Sequence, residues 1–476
     1  MRVESARRGL PPLARLYFKL RRRSTLEHFD VLMEHERCTR EELQAISDAR
    51  LRHIVQYAYR NVPHYTALFD RLGLSPDRIA TSADLQLIPP LTKELVREHF
   101  DALRARAPVE GVRQAATSGS TGEPLKFLIM PDVKAWHNAA KLRFWRYAGL
   151  ELGMRHALVW GSTFDVQRLQ RLSARLERWI GRQLLLNAFT LDPATLESHA
   201  ARLARFKPQV IHGYAQAMHA IAVHMLARGT TVPSVRAVIT TAETLHPHHR
   251  AAIERAFQCR VFNRYASRET ALEVHECEQH QGLHISSDTA IVEVVDENGR
   301  WVGEGESGHL LVTDFNNLAM PFIRYRINDI GTATYLPCAC GRPFPLLKSV
   351  EGRVNDRIVL RDGRVVHPCF MLYLMYRAPA QGWNEDIEEP VEGVRQFEIV
   401  QRAHDRFDVN LVLEPGYDER RLDYVVSNFK QHLGPEIDVR LAFVSSIPAG
   451  RSGKRRCVRS ELGTHAEAAV PSASPG

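Results

Sequence analysis

The chain lacks an uninterrupted apolar run approaching the roughly 18 residues of a membrane-crossing helix, so none is expected. The first residues hold no apolar h-region and no clean cleavage site, so no secretory signal is read. Cysteine is scarce: seven residues, odd in number and scattered, with one close pair at Cys338 and Cys340. That is no disulfide framework, and a reducing cytoplasm is the expected location. Charge of one sign is not in large excess: 63 Lys plus Arg face 55 Asp plus Glu, a net +8 over 476 residues. So small a surplus does not call for a nucleic-acid partner, and no reading motif accompanies it. It suits a small anionic substrate as well. The densest basic run, Arg21-Arg22-Arg23, follows the apolar Leu16–Leu20 patch. It reads as a helix with a solvated basic end in preference to one lying on an anionic membrane. Oligomeric state is not readable from these features.

What is present is ordinary globular material, 44% hydrophobic and 25% charged, long enough for two or three structural units. Residues 1–100 read as helical: Leu51, Ile54, Val55 and Ala58 have the i, i+3, i+4, i+7 spacing of one buried face. Ile88-Pro-Pro-Leu91 breaks that pattern. Over residues 101–352 short apolar runs (Ala157–Trp160, Val210–His212, Ala237–Thr240) alternate with helical stretches such as Ala215–Arg228, ended by Gly229. This alternation predicts an α/β layered domain of sheets and helices. Ile291–Val295 and His309–Thr313 read as strands, with a hairpin signal at Asn298-Gly299. Residues 353–462 predict a small α+β unit, with strands at Phe397–Val400, Phe407–Leu413 and Val439–Val444 and a helix from Asp418 to Leu433. The Ala-, Ser- and Pro-rich tail, 463–476, is expected to be disordered.

The segment Thr117-Ser118-Gly119-Ser120-Thr121-Gly122-Glu123-Pro124 holds only hydroxyl-bearing residues and glycine in its first six positions. Glycines let successive backbone N–H groups approach an anion, and hydroxyls add donors to phosphate oxygens. Ser/Thr/Gly clusters are also ordinary surface turns. No Gly-Lys-Ser/Thr follows at Walker spacing, so P-loop chemistry is disfavoured.

The loop resembles the phosphate-binding signature of adenylate-forming enzymes, the acyl-CoA synthetases, luciferases and peptide-synthetase adenylation domains. Four further segments follow in that family's order. Tyr265-Ala-Ser-Arg-Glu269 resembles its aromatic-x-x-x-Glu motif, and Arg324-Tyr-Arg-Ile-Asn-Asp-Ile-Gly331 its Arg-Tyr-x-x-x-Asp motif. Gly352-Arg-Val-Asn-Asp356 resembles its hinge, and Pro448-Ala-Gly-Arg-Ser-Gly-Lys454 its final lysine motif. The resemblance runs from about residue 50 to 460. Its nearest branch looks like the phenylacetate–CoA ligases, including capsule-biosynthesis-type members. The clues are Arg324-Tyr-Arg326, Glu276-Cys277 with Gly282-Leu-His284, and Arg52–Tyr65. Ala266 stands where relatives usually carry Gly, and Asn355 where they carry a charged hinge residue.

The resemblance implies a large N-terminal adenylate-forming domain with a small mobile C-terminal lid. It implies ATP, Mg²⁺ and coenzyme A as cofactors and co-substrates, and a small carboxylic acid as substrate. Thr117, Ser118, Gly119, Ser120, Thr121 and Gly122 would hold phosphates, Tyr265 would lie against the adenine, and Ala242 and Glu243 would also contact the nucleotide. Asp329 would accept both ribose hydroxyls, as a two-oxygen carboxylate can. Arg353 would hold the nucleotide at the domain junction, and Glu269 would hold Mg²⁺. Lys454 would neutralise charge developing between carboxylate and α-phosphate, although Arg451, Arg455 and Arg456 make the local run look like a solvated basic patch. The acid pocket is expected around Trp136–Phe144, His212–Tyr214 and Ile239–Glu243; these mostly uncharged segments suggest an aryl or medium apolar acid.

Cys277, His284, Cys338 and Cys340 together would give a Cys₃His set, the donor set of a closed structural zinc site, and the resemblance supports it, since some members of that branch carry zinc at matching positions. His280 is an alternative fourth ligand, and unrelated buried cysteines are the bland reading. His246-Pro-His-His249 reads as solvated surface at a helix start. Two rival functions remain open. The acyl group goes to an amine, sugar or carrier-protein thiol instead of coenzyme A, or the chain is a non-catalytic nucleotide-binding assembly protein that keeps the fold.

Overall fold

The computed structural model describes residues 23–116, 125–160, 176, 178–188, 191, 193–242, 245, 247–350, 358–366, 371, 374–375, 393–413, 416–445, 447 and 458–462. The chain divides into two compact units. The first comprises Met1–Ala115, Leu125–Ala188 and Pro193–Arg353; the second comprises Ala116–Pro124, Phe189–Asp192 and Val354–Gly476. The Leu16–Arg23 helix reading and the 463–476 tail fall largely or wholly outside the described residues.

The first unit opens with α1 (Arg23–His35), α2 (Arg40–Asn61), α3 (Pro63–Leu72), α4 (Lys93–Glu98) and α5 (Phe100–Leu103). The start of α2 is set by a capping box. Glu42 N–H donates to Thr39 Oγ1 (3.2 Å) and Thr39 N–H to Glu42 Oε2 (2.8 Å), which satisfies two otherwise orphaned donors. The face of α2 read from the sequence is the buried one: Leu51, Ile54, Val55 and Ala58 are fully covered. They join one core with Val274, Leu283, Leu310, Val312 and Phe322, so the helical stretch packs on the sheet described next. Truncating such a leucine or isoleucine to alanine costs about 2–5 kcal/mol, because the surrounding core closes the void only in part.

Then follow β1 (Arg113–Ala116), β2 (Lys126–Ile129), α6 (Pro131–Trp145), β3 (His156–Val159), β4 (Gln183–Leu186), α7 (Pro193–Phe206), β5 (Val210–Tyr214), α8 (Ala215–Arg228), β6 (Ala237–Thr241), α9 (Pro247–Phe257), β7 (Arg260–Ala266), β8 (Glu273–Glu276), β9 (Leu283–Ile285), β10 (Ala290–Val295), β11 (Ser307–Asp314), β12 (Tyr325–Thr334) and β13 (Leu346–Val350). Eleven strands form one sheet in the order β10-β11-β12-β13-β9-β8-β7-β6-β5-β3-β4. β4, β3, β5, β6 and β7 run parallel, and the rest are antiparallel. Parallel strands are covered on both faces, which explains why β6 is buried at all five positions. α8 stops where expected, at Gly229, whose φ of 62° few other residues adopt.

The strand order carries a functional consequence. From β3 the chain steps outward to β4, then returns to β5 on the other side and continues through β6 to β7. The β3/β5 border is therefore a topological switch point, and ligands of open α/β sheets bind outside the carboxyl ends of the strands there. The Asn298-Gly299 turn forms, with Gly299 at φ 78°, but it does not close a two-residue hairpin. Val295 bridges to Trp301, and β11 begins only at Ser307.

Arg324 is buried to 1% and braces this unit. Its guanidinium donates to Glu293 Oε2 (3.1 Å), Ile88 O (2.6 Å) and Gly299 O (2.6 Å), tying the Ile88-Pro-Pro-Leu91 connector to the sheet. A second buried ion pair joins Arg143 of α6 to Asp288 at 2.6 and 2.8 Å.

The second unit contains β14 (Ile358–Val359), β15 (Val365–Val366), β16 (Val394–Ala403), β17 (Arg406–Leu413), α10 (Asp423–Leu433), β18 (Asp438–Phe443) and β19 (Val458–Ser460). Its main sheet has the order β18-β17-β16-β19, with β16 and β17 antiparallel and the two outer strands parallel to their neighbours. Phe429 of α10 meets Phe407 of β17 edge to face, with ring centroids 5.7 Å apart.

Candidate active site

Two of the sequence motifs meet at the first unit's sheet. Tyr265, near the end of β7, donates its hydroxyl to Asp329 Oδ2 of β12 at 2.7 Å. Glu269, four residues further on, lies against the same strand: Tyr325 OH is 3.4 Å from its Oε1. Ser267 Oγ donates to Glu269 Oε2 at 2.9 Å. Lys93 Nζ lies 3.8 Å from Glu269 Oε1, with both side chains over 90% buried. A buried carboxylate beside a buried ammonium is charge-balanced, whereas either alone would be costly. Sequence reasoning did not single out Lys93; its only sequence signal was a position just after the connector.

The segment between these motifs and the sheet is tied down from the N-terminal helices. Tyr65 OH donates to Pro321 O (3.0 Å) and accepts from Ile323 N–H (3.1 Å), just before Arg324. The Asp329 motif also carries left-handed backbone at Arg324 (φ 51°) and Asn328 (φ 69°). Ala242 follows β6 with φ 69° and an exposed side chain. Such conformations cost of order 1–3 kcal/mol each and cluster at functional sites. Thr117–Gly122, Glu243, Arg353 and Lys454 lie outside the described residues.

The segments expected to line an acid pocket divide. Trp136 turns away from the sheet toward α1: it stacks on His28 (3.9 Å, 9°) and packs with Phe29 and Leu32. Phe144 packs with Cys277 and Cys338. What faces the carboxyl ends of the parallel strands is more polar than the sequence suggested. The register pairs Tyr214 with Thr241 and His212 with Ile239, so these share one face. Trp160, just after β3, places its ring 4.6 Å from Tyr214 and 5.4 Å from His212. On the same face Arg264 Nε donates to Glu273 Oε2 (2.8 Å), its Nη2 to Glu273 Oε1, and its Nη1 to Thr241 Oγ1 (3.3 Å). His137 of α6 closes the set, with Nε2 2.9 Å from Glu273 Oε1. Burial opposes ionisation of Glu273, but Arg264 and His137 outweigh it and hold the carboxyl well below its usual range. Burial, reinforced by Arg264 and Lys141, pushes His212 well below the usual imidazole range, so it is neutral.

The Cys/His set is brought together. Donor atoms of Cys277, His284, Cys338 and Cys340 all lie within 4.8 Å of one another. Cys277 Sγ is 3.6 Å from Cys338 Sγ, and Cys340 Sγ is 3.4 Å from His284 Nε2. Tetrahedral zinc, with bonds of about 2.0–2.3 Å, spaces its ligand atoms about 3.3–3.8 Å apart, so this donor set fits the ion. His284 sits on β9 opposite Leu346 of β13. The chain reaches it through Gly282, where a Cβ would lie 2.6 Å from Leu347 O. Arg342 braces the Cys338–Cys340 turn by a two-pronged bond to Glu278 (2.9 and 3.0 Å) and covers the Tyr147 ring at 4.1 Å. His280 is not in the cluster; its Nδ1 pairs with Glu276 at 3.3 Å. The expectation that His249 is solvated is corrected: it is 5% exposed, its ring 4.5 Å from His219, because it enters the α8–α9 contact. His246 lies outside the described residues, as does the His248 side chain.

The fold is similar to that of a CoA ligase of known structure. 2-Hydroxyisobutyryl-CoA ligase in its postadenylation state superposes with a TM-score of 0.57 at 19% identity, over 90% of this chain and 91% of that one. The same ligase in its thioesterification state also gives 0.57. Homologues by sequence are CapK and the phenylacetate–coenzyme A ligases. Protein CapK of Staphylococcus aureus is 24% identical over 448 residues, 92% of this chain and 93% of that protein. Phenylacetate–coenzyme A ligase of Thermus thermophilus is 28% identical over 89% of this chain and 98% of its own; that of Escherichia coli is 26% identical over 88% and 94%. Residues 384–461, within the second unit, match the CapK C-terminal domain family. Among the described residues no helix is long and apolar enough to cross a membrane.

Proposed function

We propose that the protein activates a carboxylic acid with ATP and passes the acyl group to a thiol, coenzyme A. The observation that carries this reading is the double link between motif segments, Tyr265 to Asp329 and Glu269 to Tyr325. It ties the segment of Glu269, the carboxylate proposed for the metal, to the segment of Asp329, the carboxylate proposed for the ribose. The resemblance to phenylacetate–coenzyme A ligases over most of both chains supports the chemistry.

The steps follow from these roles. A carboxylate oxygen of the acid attacks the α-phosphorus of ATP; that bond forms as the bond to the β-phosphate oxygen breaks, and pyrophosphate leaves. A thiol then attacks the acyl carbonyl, its proton passes to solvent, and AMP leaves. Asp329 accepts the ribose hydroxyls, and the Tyr265 hydroxyl holds the carboxylate in the orientation this requires. Glu269 would hold Mg²⁺, which supplies positive charge against the triphosphate. Lys93 keeps that carboxylate balanced before the ion arrives. Thr117–Gly122 cradle the phosphates, Arg353 contacts the nucleotide, and Lys454 neutralises charge at the reacting oxygens. Cys277, His284, Cys338 and Cys340 would hold a structural zinc, which would tie β9 to the turn beyond β12.

ATP–pyrophosphate exchange across a panel of carboxylic acids, followed by coenzyme A-dependent AMP release, tests the reading. Exchange with none of the acids removes it; exchange without thioester formation moves the acceptor to another nucleophile.

A further inference from the structure

Leu185, Leu158, His212, Ile239 and Phe262 stand side by side across β4, β3, β5, β6 and β7, on the sheet face that meets α6. His212 is the polar member of this row. It is 3% exposed, and neither ring nitrogen has a hydrogen-bond partner among the described residues. Trp145, the last residue of α6, lies against it with ring centroids 5.4 Å apart. The indole is also buried, and its Nε1 is orphaned in the same way. A buried donor or acceptor without a partner costs its desolvation in full, and a leucine at this place in the row would cost nothing of the kind. Burial, reinforced by Arg264 and Lys141, keeps the imidazole neutral. Either tautomer then presents one N–H and one bare nitrogen, and the indole adds a second N–H.

The place in the sheet points to a ligand. His212 lies at the β3/β5 border, the switch point, two residues before the carboxyl end of β5. The row divides there. Ile239 and Phe262, on one side, are buried in a cluster with Trp145. Leu158 and Leu185, on the other side, are half-buried, as are Trp160 and Tyr214 at the strand ends. Among the described residues the face is therefore closed beside Ile239 and open beside Leu158, with aromatic rings at the opening.

We propose that His212 and Trp145 read a carbonyl oxygen on the body of the acid, so that the substrate is an oxo- or amide-bearing carboxylic acid. This rests on the ligase reading and narrows its substrate. The oxygen accepts from Trp145 Nε1 and from the protonated ring nitrogen of His212. The apolar part of the acid lies against Leu158, Trp160 and Tyr214. A carbonyl oxygen has two lone pairs and no proton, which suits two donors. A site whose buried donors are left unpaired by an analogue discriminates strongly against it.

The test is ATP–pyrophosphate exchange with matched acids: hexanoate against 4- and 5-oxohexanoate and 5-hydroxyhexanoate, and phenylacetate against 4-acetamidophenylacetate. Wild type is expected to favour a carbonyl-bearing member over its parent by about 10- to 100-fold in kcat/KM. His212→Leu should bring that ratio to about 1 with the KM for ATP unchanged, and should melt no lower than wild type, since the orphaned nitrogens are gone. His212→Gln, which keeps an N–H, and Trp145→Phe, which removes one donor, should each retain part of the preference. A wild type that prefers the parent or the hydroxy acid overturns the proposal and leaves the ligase reading standing. So does an unchanged ratio in His212→Leu, or a loss of melting temperature with all acids affected equally. If His212→Leu does not fold, the Gln and Phe variants decide by the same ratio. Exchange with no member of the panel overturns both readings.

Discussion

Tyr265 and Asp329 are 64 residues apart in the chain and 2.7 Å apart in space, joined by a phenol-to-carboxylate hydrogen bond across two strands of one sheet. Asp329→Ala should raise the KM for ATP on the order of 10- to 100-fold, the loss expected when hydrogen bonds to a charged group are removed. Tyr265→Phe leaves the carboxylate but loosens it, and should cost about tenfold or less. Initial-rate measurements at varied ATP check both. Equal effects on ATP and on acid would argue against a ribose role.

Lys454→Ala should abolish acyl-adenylate formation while leaving thiolysis of a supplied acyl-adenylate largely intact. A charge needed only where carboxylate meets α-phosphate is absent from the second step. Pyrophosphate release with the true acid measures the first step, and thioester formation from synthetic adenylate the second. Unchanged pyrophosphate release sinks the assignment.

Protein purified without a histidine tag should contain one zinc per chain. Cys338→Ser should lower its content and the melting temperature, by about 2–4 °C for each kcal/mol of site stability lost. Bound there, the ion would tie a turn to a strand that the hydrogen bonds of Arg342 alone hold less firmly. Metal analysis and thermal denaturation give the answer; wild type with substoichiometric zinc and an unmoved melting temperature in the variant would falsify the site.

Stability should fall as pH drops below about 6.5. His212 is held neutral by burial, with Arg264 and Lys141 adding to the effect, and His64 is lowered to about 4 by burial, with His99 and Arg71 adding. In the unfolded chain both take up protons near 6.5, so the folded state binds fewer and loses ground through the window from 6.5 down to the folded pKa. Each fully buried group adds a slope of at most about 1.4 kcal/mol per pH unit, and the share of His64 is smaller because solvent screens it. Urea titrations of wild type and His212→Phe at stepped pH measure this; parallel curves would show that His212 does not contribute.

Much of the fold was legible because its signals are local. The period of 3.6 in Leu51, Ile54, Val55 and Ala58 marked the buried face of α2. Short, mostly apolar runs marked the central parallel strands, and Gly229 ended α8 where its backbone demanded. Boundaries shifted where tertiary contacts took over. The Asn298-Gly299 turn is real, yet β11 starts only at Ser307 because Trp301 bridges back to Val295 first. His249 was misjudged as solvated because polarity says nothing of a helix packing over it. Trp136 was placed near the pocket by the family resemblance alone; its packing with Phe29 and Leu32 of α1 is a contact between distant elements that no local pattern announces.

The order of motifs from Thr117 to Lys454, the α/β alternation and the supply of zinc-type donors are properties of the linear chain, set by residue type and spacing. Tertiary structure alone decided which donors meet. His284 joins the three cysteines and His280 does not, because the β9–β13 register sets His284 against Leu346 while His280 pairs with Glu276. It likewise decided that Arg264, Glu273 and His137 form one buried set, since each comes from a different element and none carries a local pattern. Local spacing encodes periodicity and caps; contacts between distant elements depend on strand register and crossover, and those exist only once the sheet is assembled.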